Sequence, residues 1–269
     1  MAPSQSLLAQ FSRALGVMKR CDRIVLFINM DALSTLSDYG EDRSTELSSL
    51  MSEMLEDERY ALILISGSAL NQMKRALPVP HAIYASKHGM EINIGMIKLM
   101  NPLYMEYQRA IEGICGDMSG FKGATLSMDG GGGVTVDYSD VESDNVIEVK
   151  KAFIKAVKDC EGLEFELLQG PRSISAVIAR RTHSSMVEII MAEIGAQNPF
   201  VIFLGSLKTD RSAISAVSRT GPNLCAVTDA QSSDKAVPYV TLRSIEELTM
   251  FIHMLMEEHS HHGDRYGGD

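Results

Sequence analysis

Short runs rich in apolar and β-branched residues alternate along this chain with segments of helical periodicity. The runs occupy residues 23–30, 60–66, 82–86, 199–205 and 223–228. The helical segments between and after them occupy residues 44–57, 68–76, 184–194, 210–219 and 244–257. Strands that are buried on both faces are apolar along their whole length. The alternation therefore predicts an α/β fold in which a parallel sheet is covered by helices on both faces.

Residues 96–179 interrupt this alternation and predict an inserted α+β cap domain. They contain a helix near 102–115, a β-hairpin around the glycine run at 129–133, a second helix near 146–159, and two short strands, LEFELLQ and SISAVIA. A strand follows the glycine run where a phosphate-binding loop would need a helix, so we interpret the run as a hairpin turn. The core is then discontinuous, at residues 1–95 and 180–258, with a flexible polar tail at 259–269.

The charge and the apolar runs exclude several classes of partner. Twenty-five Lys and Arg against thirty-five Asp and Glu give a net charge of −10. An acidic chain lacks the general electrostatic attraction for nucleic acid or anionic lipid. The runs IVLFI and ALILI are too short to cross a bilayer. Proteins or small molecules are therefore the expected partners.

The first 21 residues contain basic but no acidic side chains, which is one feature of an organelle transit peptide. Leu7, Phe11, Leu15 and Met18 have the spacing of an amphipathic helix that packs on a domain. We therefore predict a packed helix here. Four scattered cysteines without a CxxC pair indicate a reduced, cytoplasmic chain, with organelle targeting as the alternative.

Four segments occur in an order that is typical of one family. They are LFINMDALSTL, ISGSALNQMKRAL, YASKHGMEI and VIFLGSLKTDRSAI, and they are distributed over nearly the whole chain. Together they resemble the trehalose-6-phosphate phosphatases of the haloacid dehalogenase (HAD) superfamily. The resemblance implies a HAD-like Rossmannoid core with an inserted cap domain.

The resemblance also implies where the catalytic groups of such a phosphatase would lie, and here they are altered. In the family motif D-x-D-G-T the first Asp attacks phosphorus and the second is the general acid and base. This chain has Asn29 at the first position, Asp31 at the second and Leu33 at the Thr position. A carboxamide is a far weaker nucleophile than a carboxylate.

The metal-binding motif is altered in the same way. The family holds Mg²⁺ with the nucleophilic Asp and with the first acid of a GDD motif, which here is Gly205-Ser206-Leu207. Asp210 remains nearby, and the adjacent Lys208 and Arg211 could replace the electrostatic role of the metal in holding the fold. We therefore expect no cofactor, with Mg²⁺ required only if the chain is a phosphatase.

The remaining motif positions are kept only in part. Ser66 matches the Ser that the family places on the phosphate, although a helix N-cap explains it equally well. The position of the family's charge-compensating Lys falls on His183 or Ser184. Tyr138 and His88 match groups that the family uses near the sugar, while Ser127 and Asp129 replace its cap Glu and Lys. His88 with Gly89 could equally serve a tight turn.

The joint change of these positions predicts a non-catalytic member, because losing a single group of this kind costs on the order of a hundredfold in rate or more. We expect a pseudoenzyme that acts as a scaffold or regulatory subunit, in trehalose metabolism or in a larger assembly with a protein partner. The alternatives are a sensor that binds a sugar phosphate and an Mg²⁺-dependent phosphatase that uses Asp31 or Asp210. Met90, Met96, Met100 and Met105, near the crossing from core to cap, are interpreted as gap-filling core residues.

Overall fold

The computed structural model describes residues 7–128, 132–178, 182–229 and 239–260. The helices in these ranges are α1 (Leu7–Met18), α2 (Met30–Leu33), α3 (Glu41–Met54), α4 (Leu70–Ala76), α5 (Tyr104–Met118), α6 (Val146–Lys158), α7 (Thr182–Ile194), α8 (Leu207–Val217) and α9 (Ile245–Ser260). The strands are β1 (Arg23–Asn29), β2 (Tyr60–Ile65), β3 (Ile83–Ser86), β4 (Glu91–Ile94), β5 (Ile97–Met100), β6 (Thr125–Met128), β7 (Gly133–Asp137), β8 (Phe165–Gln169), β9 (Ser173–Ile178), β10 (Pro199–Gly205), β11 (Asn223–Val227) and β12 (Val240–Thr241).

The large sheet has the order β12-β11-β10-β1-β2-β3-β4-β5. Its first six strands are parallel, and β4 and β5 add an antiparallel hairpin at the edge. β1 lies at the centre, where Phe27 is in register with Phe203 of β10 and Ile63 of β2. Separate apolar clusters cover the two faces of the sheet. This arrangement confirms the predicted α/β core and its five predicted strands.

The edge hairpin extends the large sheet beyond the boundary that the sequence predicted. The core was expected to end at residue 95, but β5 continues the sheet to Met100. Ile97, Lys98 and Met100 of this strand are exposed, so it lacks the apolar character by which the buried strands were identified. At the other end of the core, α9 continues to Ser260, past the predicted boundary at 258.

The second sheet is antiparallel, with the order β6-β7-β9-β8. Its buried side chains pack with those of α5 and α6 in a separate apolar cluster that includes Phe153, Val136 and Ile174. β6 and β7 pair as the predicted hairpin would, with Thr125 opposite Asp137. Residues 129–131 of its glycine turn lie outside the described residues, as do residues 261–269 of the predicted tail.

The N-terminal segment is a packed helix, as its spacing predicted. Leu7, Phe11 and Met18 of α1 are buried. The ring of Phe11 meets that of Phe251 on α9 edge-on, with centroids 5.2 Å apart. Ser244 caps α9, because its hydroxyl accepts a hydrogen bond from the Glu247 amide at 3.1 Å. In the described part of the chain, no helix has both the length and the apolar character needed to span a membrane.

Candidate functional site

The predicted site residues lie together at the carboxyl edge of the parallel sheet. Asn29 ends β1, Ser66 follows β2, and Ser206 follows β10. These strands are adjacent and parallel, so their ends meet at one edge, where α/β folds bind ligands. Asn29, Ser66, Ser206 and Asp210 are all buried polar residues. The structure therefore brings together most of the groups that the sequence singled out.

Asn29 and Asp210 form the most deeply buried polar contact of this site. Asn29 Nδ2 lies 2.9 Å from Asp210 Oδ1 and 2.8 Å from Oδ2. Asp210 is 0% exposed and Asn29 is 3% exposed. Asp210 Oδ2 also accepts hydrogen bonds from the Ser206 amide at 2.9 Å and the Thr209 hydroxyl at 3.0 Å. Lys208, which the sequence offered as a charge partner, is exposed. The Asn29 and Thr209 side chains therefore both donate hydrogen bonds to Asp210.

Asp31 is held at the end of β2. Its Oδ1 accepts a hydrogen bond from the Ser66 hydroxyl at 2.6 Å, and its Oδ2 accepts one from the Gly67 amide at 2.8 Å. Its own backbone amide donates to Asn29 Oδ1 at 2.9 Å. The N-cap interpretation of Ser66 is wrong, because α4 begins at Leu70 with Ala69 as its N-cap residue, and Ser66 Oγ accepts from the Ser68 amide at 3.0 Å within the preceding loop. The donors at the end of β2 are thus directed at a carboxylate of the chain itself.

Asp229 is a member of this site that the sequence analysis missed. It follows β11, and its carboxylate reaches the start of α8. There it accepts hydrogen bonds from the Ser206 hydroxyl at 2.8 Å and from the amides of Leu207 at 2.6 Å and Lys208 at 3.2 Å. A carboxylate satisfies the free amides of a helix N-terminus and suits its dipole. The sequence feature that could have identified Asp229 is its position as an acidic residue just after the end of a predicted strand.

His88 lies beside the turn that follows β2. Lys87 and His88 have positive φ values of 51° and 56°, and the His88 amide donates to the Ser66 carbonyl at 3.0 Å. A Cβ on Gly67 would lie 2.5 Å from His88 Cε1, so only glycine fits against the imidazole. This agrees with the tight-turn interpretation of His88, and its role in sugar binding stays a prediction.

Two further residues that the sequence predicted are not part of this cluster. One lies in the cap, and the side chain of the other is outside the described residues. Tyr138 is 5% exposed in the apolar cluster of the cap, and its hydroxyl donates to the Ser173 carbonyl at 3.2 Å. Its proposed contact with a sugar also stays a prediction. His183 belongs to the first turn of α7, but its side chain lies outside the described residues.

A polar cluster beside the site joins the core to the cap. Lys87 Nζ lies 2.9 Å from Glu91 Oε1 and also contacts the Tyr104 hydroxyl on α5. Lys98 Nζ lies 3.2 Å from the same Glu91 oxygen. Burial by itself would raise the pKa of Glu91, but hydrogen bonds from Lys87 and Lys98 outweigh burial and hold that pKa below its ordinary value.

The donor set around Asn29 does not suit a divalent cation. Mg²⁺ needs oxygen ligands, usually one or two carboxylates together with waters. Here Asn29 directs its NH₂ group at Asp210, and both Asp31 oxygens accept hydrogen bonds. Across the described ranges, no group of three or more His, Cys, Asp or Glu residues is placed to hold a metal ion.

Comparison with solved structures shows one consistent fold. No protein-family model matches the sequence, and no curated protein matches it. The structure is similar to trehalose-6-phosphate phosphatase from Aspergillus fumigatus, with a TM-score of 0.62 and 14% identity over 94% of this chain and 99% of that chain.

Two further similarities place the fold more broadly. The C-terminal domain of the Candida albicans trehalose synthase regulatory protein matches with a TM-score of 0.57 and 12% identity, over 89% of this chain and 97% of that chain. A haloacid dehalogenase-like hydrolase from Bacteroides thetaiotaomicron matches with a TM-score of 0.56 and 13% identity, over 87% of this chain and 99% of that one. The chain therefore has the fold of the trehalose-6-phosphate phosphatases and of related haloacid dehalogenase-like hydrolases, as its motifs implied.

Proposed function

We propose that this chain is a trehalose-phosphatase-like protein without catalytic activity, which acts as a scaffold or regulatory subunit. The observation that carries the proposal is the contact of Asn29 with Asp210. Asn29 stands where a phosphatase of this fold needs its nucleophile. Its side chain donates a hydrogen bond to a carboxylate instead of presenting an anionic oxygen to phosphorus.

The chemistry of the amide supports this proposal. Attack on phosphorus needs a lone pair on an anionic oxygen, and the carboxamide oxygen is neutral. Asn29 Oδ1 is also engaged, because it accepts the Asp31 amide hydrogen bond at 2.9 Å. Neither end of the Asn29 side chain is arranged for nucleophilic attack.

The other changed positions act in the same direction. Leu33 is a buried apolar residue at the position of the family Thr, so it offers no hydrogen bond to a phosphoryl oxygen. Ser206 replaces a metal-binding acid, and its hydroxyl binds Asp229. Since each such group is worth on the order of a hundredfold in rate or more, their combined loss leaves no useful turnover.

A group of exposed apolar residues close together along the chain, called the patch below, supports a protein partner. Large side chains at the β4–β5 hairpin and the start of α5 are exposed, namely Met96, Ile97, Met100, Leu103 and Met105. Met90 is buried as expected, but the other three methionines that were interpreted as gap-filling are on the surface. Large exposed apolar side chains are a feature of interaction surfaces. The similar Candida albicans structure is itself named as a regulatory protein of trehalose synthase, so a partner in trehalose synthesis is our proposal for this chain.

Phosphate release tests the absence of catalysis. Purified chain is incubated with trehalose 6-phosphate and MgCl₂, beside an active trehalose-6-phosphate phosphatase. We expect release indistinguishable from that of buffer. Release that is abolished by Asp31→Ala would contradict the proposal and favour the phosphatase alternative. Calorimetric titration with trehalose 6-phosphate separates the sensor alternative, which requires a heat of binding.

Affinity purification from native cells tests the partner. A tagged chain should recover a stoichiometric protein of trehalose synthesis, and Ile97→Asp combined with Met100→Asp should abolish recovery. Met250→Asp is the matched control, because Met250 is 49% exposed on α9, far along the chain from the patch. Equal recovery by the patch variant and the control would rule out this surface.

A further inference from the structure

The buried carboxylate of Asp210 lies at the junction of two elements. α8 begins after Ser206, and the backbone of Asp210 departs from helical geometry within its first turn, with φ −117° and ψ 15°. Its side chain turns back over β10, and a Cβ on Gly205 would lie only 2.5 Å from Asp210 Oδ2. The fold therefore brings this carboxylate close against the end of β10, at 0% exposure.

Asn29 uses both ends of its side chain at this junction. Nδ2 reaches both Asp210 oxygens, and Oδ1 accepts the backbone amide of Asp31. One neutral group thus joins the turn after β1 to the first turn of α8. The carboxamide supplies donors towards the buried negative charge and an acceptor towards the backbone.

A carboxylate at position 29 would reverse this arrangement. Its oxygen would replace Nδ2 at 2.8 to 2.9 Å from the Asp210 oxygens. Two ionised carboxylates at this distance, both buried, are strongly disfavoured unless a cation lies between them or one takes up a proton. Mg²⁺ and Ca²⁺ are the hard cations that carboxylate oxygens bind.

We propose that the Asn29 carboxamide takes the place of a divalent cation beside Asp210, so that this site is complete without metal. A cation-binding site would differ from this site by one oxygen in place of the Asn29 NH₂ group. The inference deepens the proposed function, but it rests on the Asn29–Asp210 geometry and is tested separately from catalysis.

Thermal denaturation in EDTA and in millimolar MgCl₂ tests the inference. The wild-type midpoint should be the same in both buffers. Asn29→Asp should melt about 10 °C lower in EDTA, from the cost of bringing a second buried carboxylate against Asp210, and should regain most of that loss in MgCl₂. Calorimetric titration with MgCl₂ should show binding to Asn29→Asp and none to the wild type at this site.

The exchange of the two side chains is the matched control. Asn29→Asp combined with Asp210→Asn restores one carboxylate and one carboxamide, so this variant should melt above the single variant in EDTA and should not respond to MgCl₂. The exchange variant still tests the inference if Asn29→Asp does not fold. A folded exchange variant would then show that the misfolding of Asn29→Asp comes from its two adjacent carboxylates. The inference would be overturned if the exchange variant, like the single variant, failed to fold.

Two outcomes separate this inference from the proposed function. An Mg²⁺-dependent rise in the wild-type midpoint that Asp210→Asn abolishes would overturn the inference, but the absence of catalysis could still hold. Phosphate release by the wild type in EDTA would overturn the proposed function and leave the inference standing.

Discussion

The Asp31 carboxylate and the Ser66 hydroxyl form a hydrogen bond of 2.6 Å, and Gly67 adds its backbone amide to the same carboxylate at 2.8 Å. Ser66 is 3% exposed while Asp31 is itself exposed, so this bond is only partly shielded from water. A hydroxyl and an amide that converge at a strand end form an anion-binding arrangement. In this chain the anion is the side chain of Asp31, which belongs to α2, directly after the neighbouring strand β1.

Ser66→Ala tests the contribution of this bond to stability. A hydrogen bond to a charged group contributes about 1.5 to 3 kcal/mol, and because Asp31 is exposed we expect the free energy of unfolding to fall by about 1.5 kcal/mol, the lower end of this range. Urea denaturation measures the change. Ser49→Ala on the exposed face of α3 is the control, because its bond is only to the Thr45 carbonyl of its own helix. Equal losses in the two variants would contradict the prediction.

Gly205→Ala tests the close approach of Asp210 to β10. The added Cβ would lie 2.5 Å from Asp210 Oδ2 and 2.6 Å from Phe203 Cε1. Overpacking of this kind costs about 1 to 3 kcal/mol, so the variant should unfold at lower urea.

Gly113→Ala on α5 is the matched control for Gly205→Ala. Its added Cβ would have no atom within 4 Å beyond its chain neighbours and the backbone of its own helix. Alanine within a helix is favoured over glycine by about 0.5 to 1 kcal/mol, so this variant should unfold at higher urea than the wild type. A Gly205→Ala protein as stable as the wild type would refute the tight packing of this site.

Asp229→Ala tests the cap of α8. The variant removes an acceptor that serves the Ser206 hydroxyl and two backbone amides. Loss of an N-terminal cap costs about 1 kcal/mol, and the midpoint of denaturation should fall accordingly. Asp229→Asn keeps one acceptor oxygen and should lose less. An alanine variant no less stable than the asparagine variant would argue against the cap.

The charge pairing of Glu91 predicts that the stability of the fold depends on pH. Its pKa is depressed below the ordinary value of 4.5, because Lys87 and Lys98 together outweigh the effect of burial. A carboxyl with a depressed pKa in the folded state stabilises the fold above the unfolded pKa, and the contribution is lost as the pH falls through the folded pKa. Glu91→Gln should therefore be less stable than the wild type at pH 7. The difference in the free energy of unfolding between the wild type and Glu91→Gln should become smaller below pH 4.5.

Chemical denaturation of both proteins across this pH range measures the effect of Glu91. Glu46→Gln is a suitable control, because Glu46 pairs with Arg43 on an exposed face of α3. Pairs of this kind contribute little to stability. A wild-type advantage over Glu91→Gln that stays constant down to the lowest pH would contradict the assigned charge pairing.

Much of the core could be predicted because buried parallel strands leave a strong local signal. The runs at 23–30 and 199–205 became β1 and β10, and the spacing of Leu7, Phe11 and Met18 became α1. The β4–β5 hairpin was missed because it is short and partly exposed, so it lacks that signal.

The sequence predicted which residues form the candidate site better than it predicted the hydrogen bonds between them. The motif order identified Asn29, Asp31, Ser66 and Asp210, and the structure brings them to one sheet edge. The electrostatic role expected of Lys208 and Arg211 stays a prediction. The sequence did not predict that the Asn29 amide binds Asp210, because this contact depends on burial and side-chain direction.

The amino-acid sequence by itself determined that the chain has a parallel α/β core and an inserted cap, and that positions 29 and 206 lack carboxylates. Local periodicity and residue chemistry are sufficient for both. Only the tertiary structure decided that Asn29 meets Asp210 across 181 residues of sequence, and that Asp229 reaches Ser206. Such contacts depend on strand order, which places β1 between β2 and β10 and β10 beside β11. No local pattern encodes that order, because it follows from packing the whole chain.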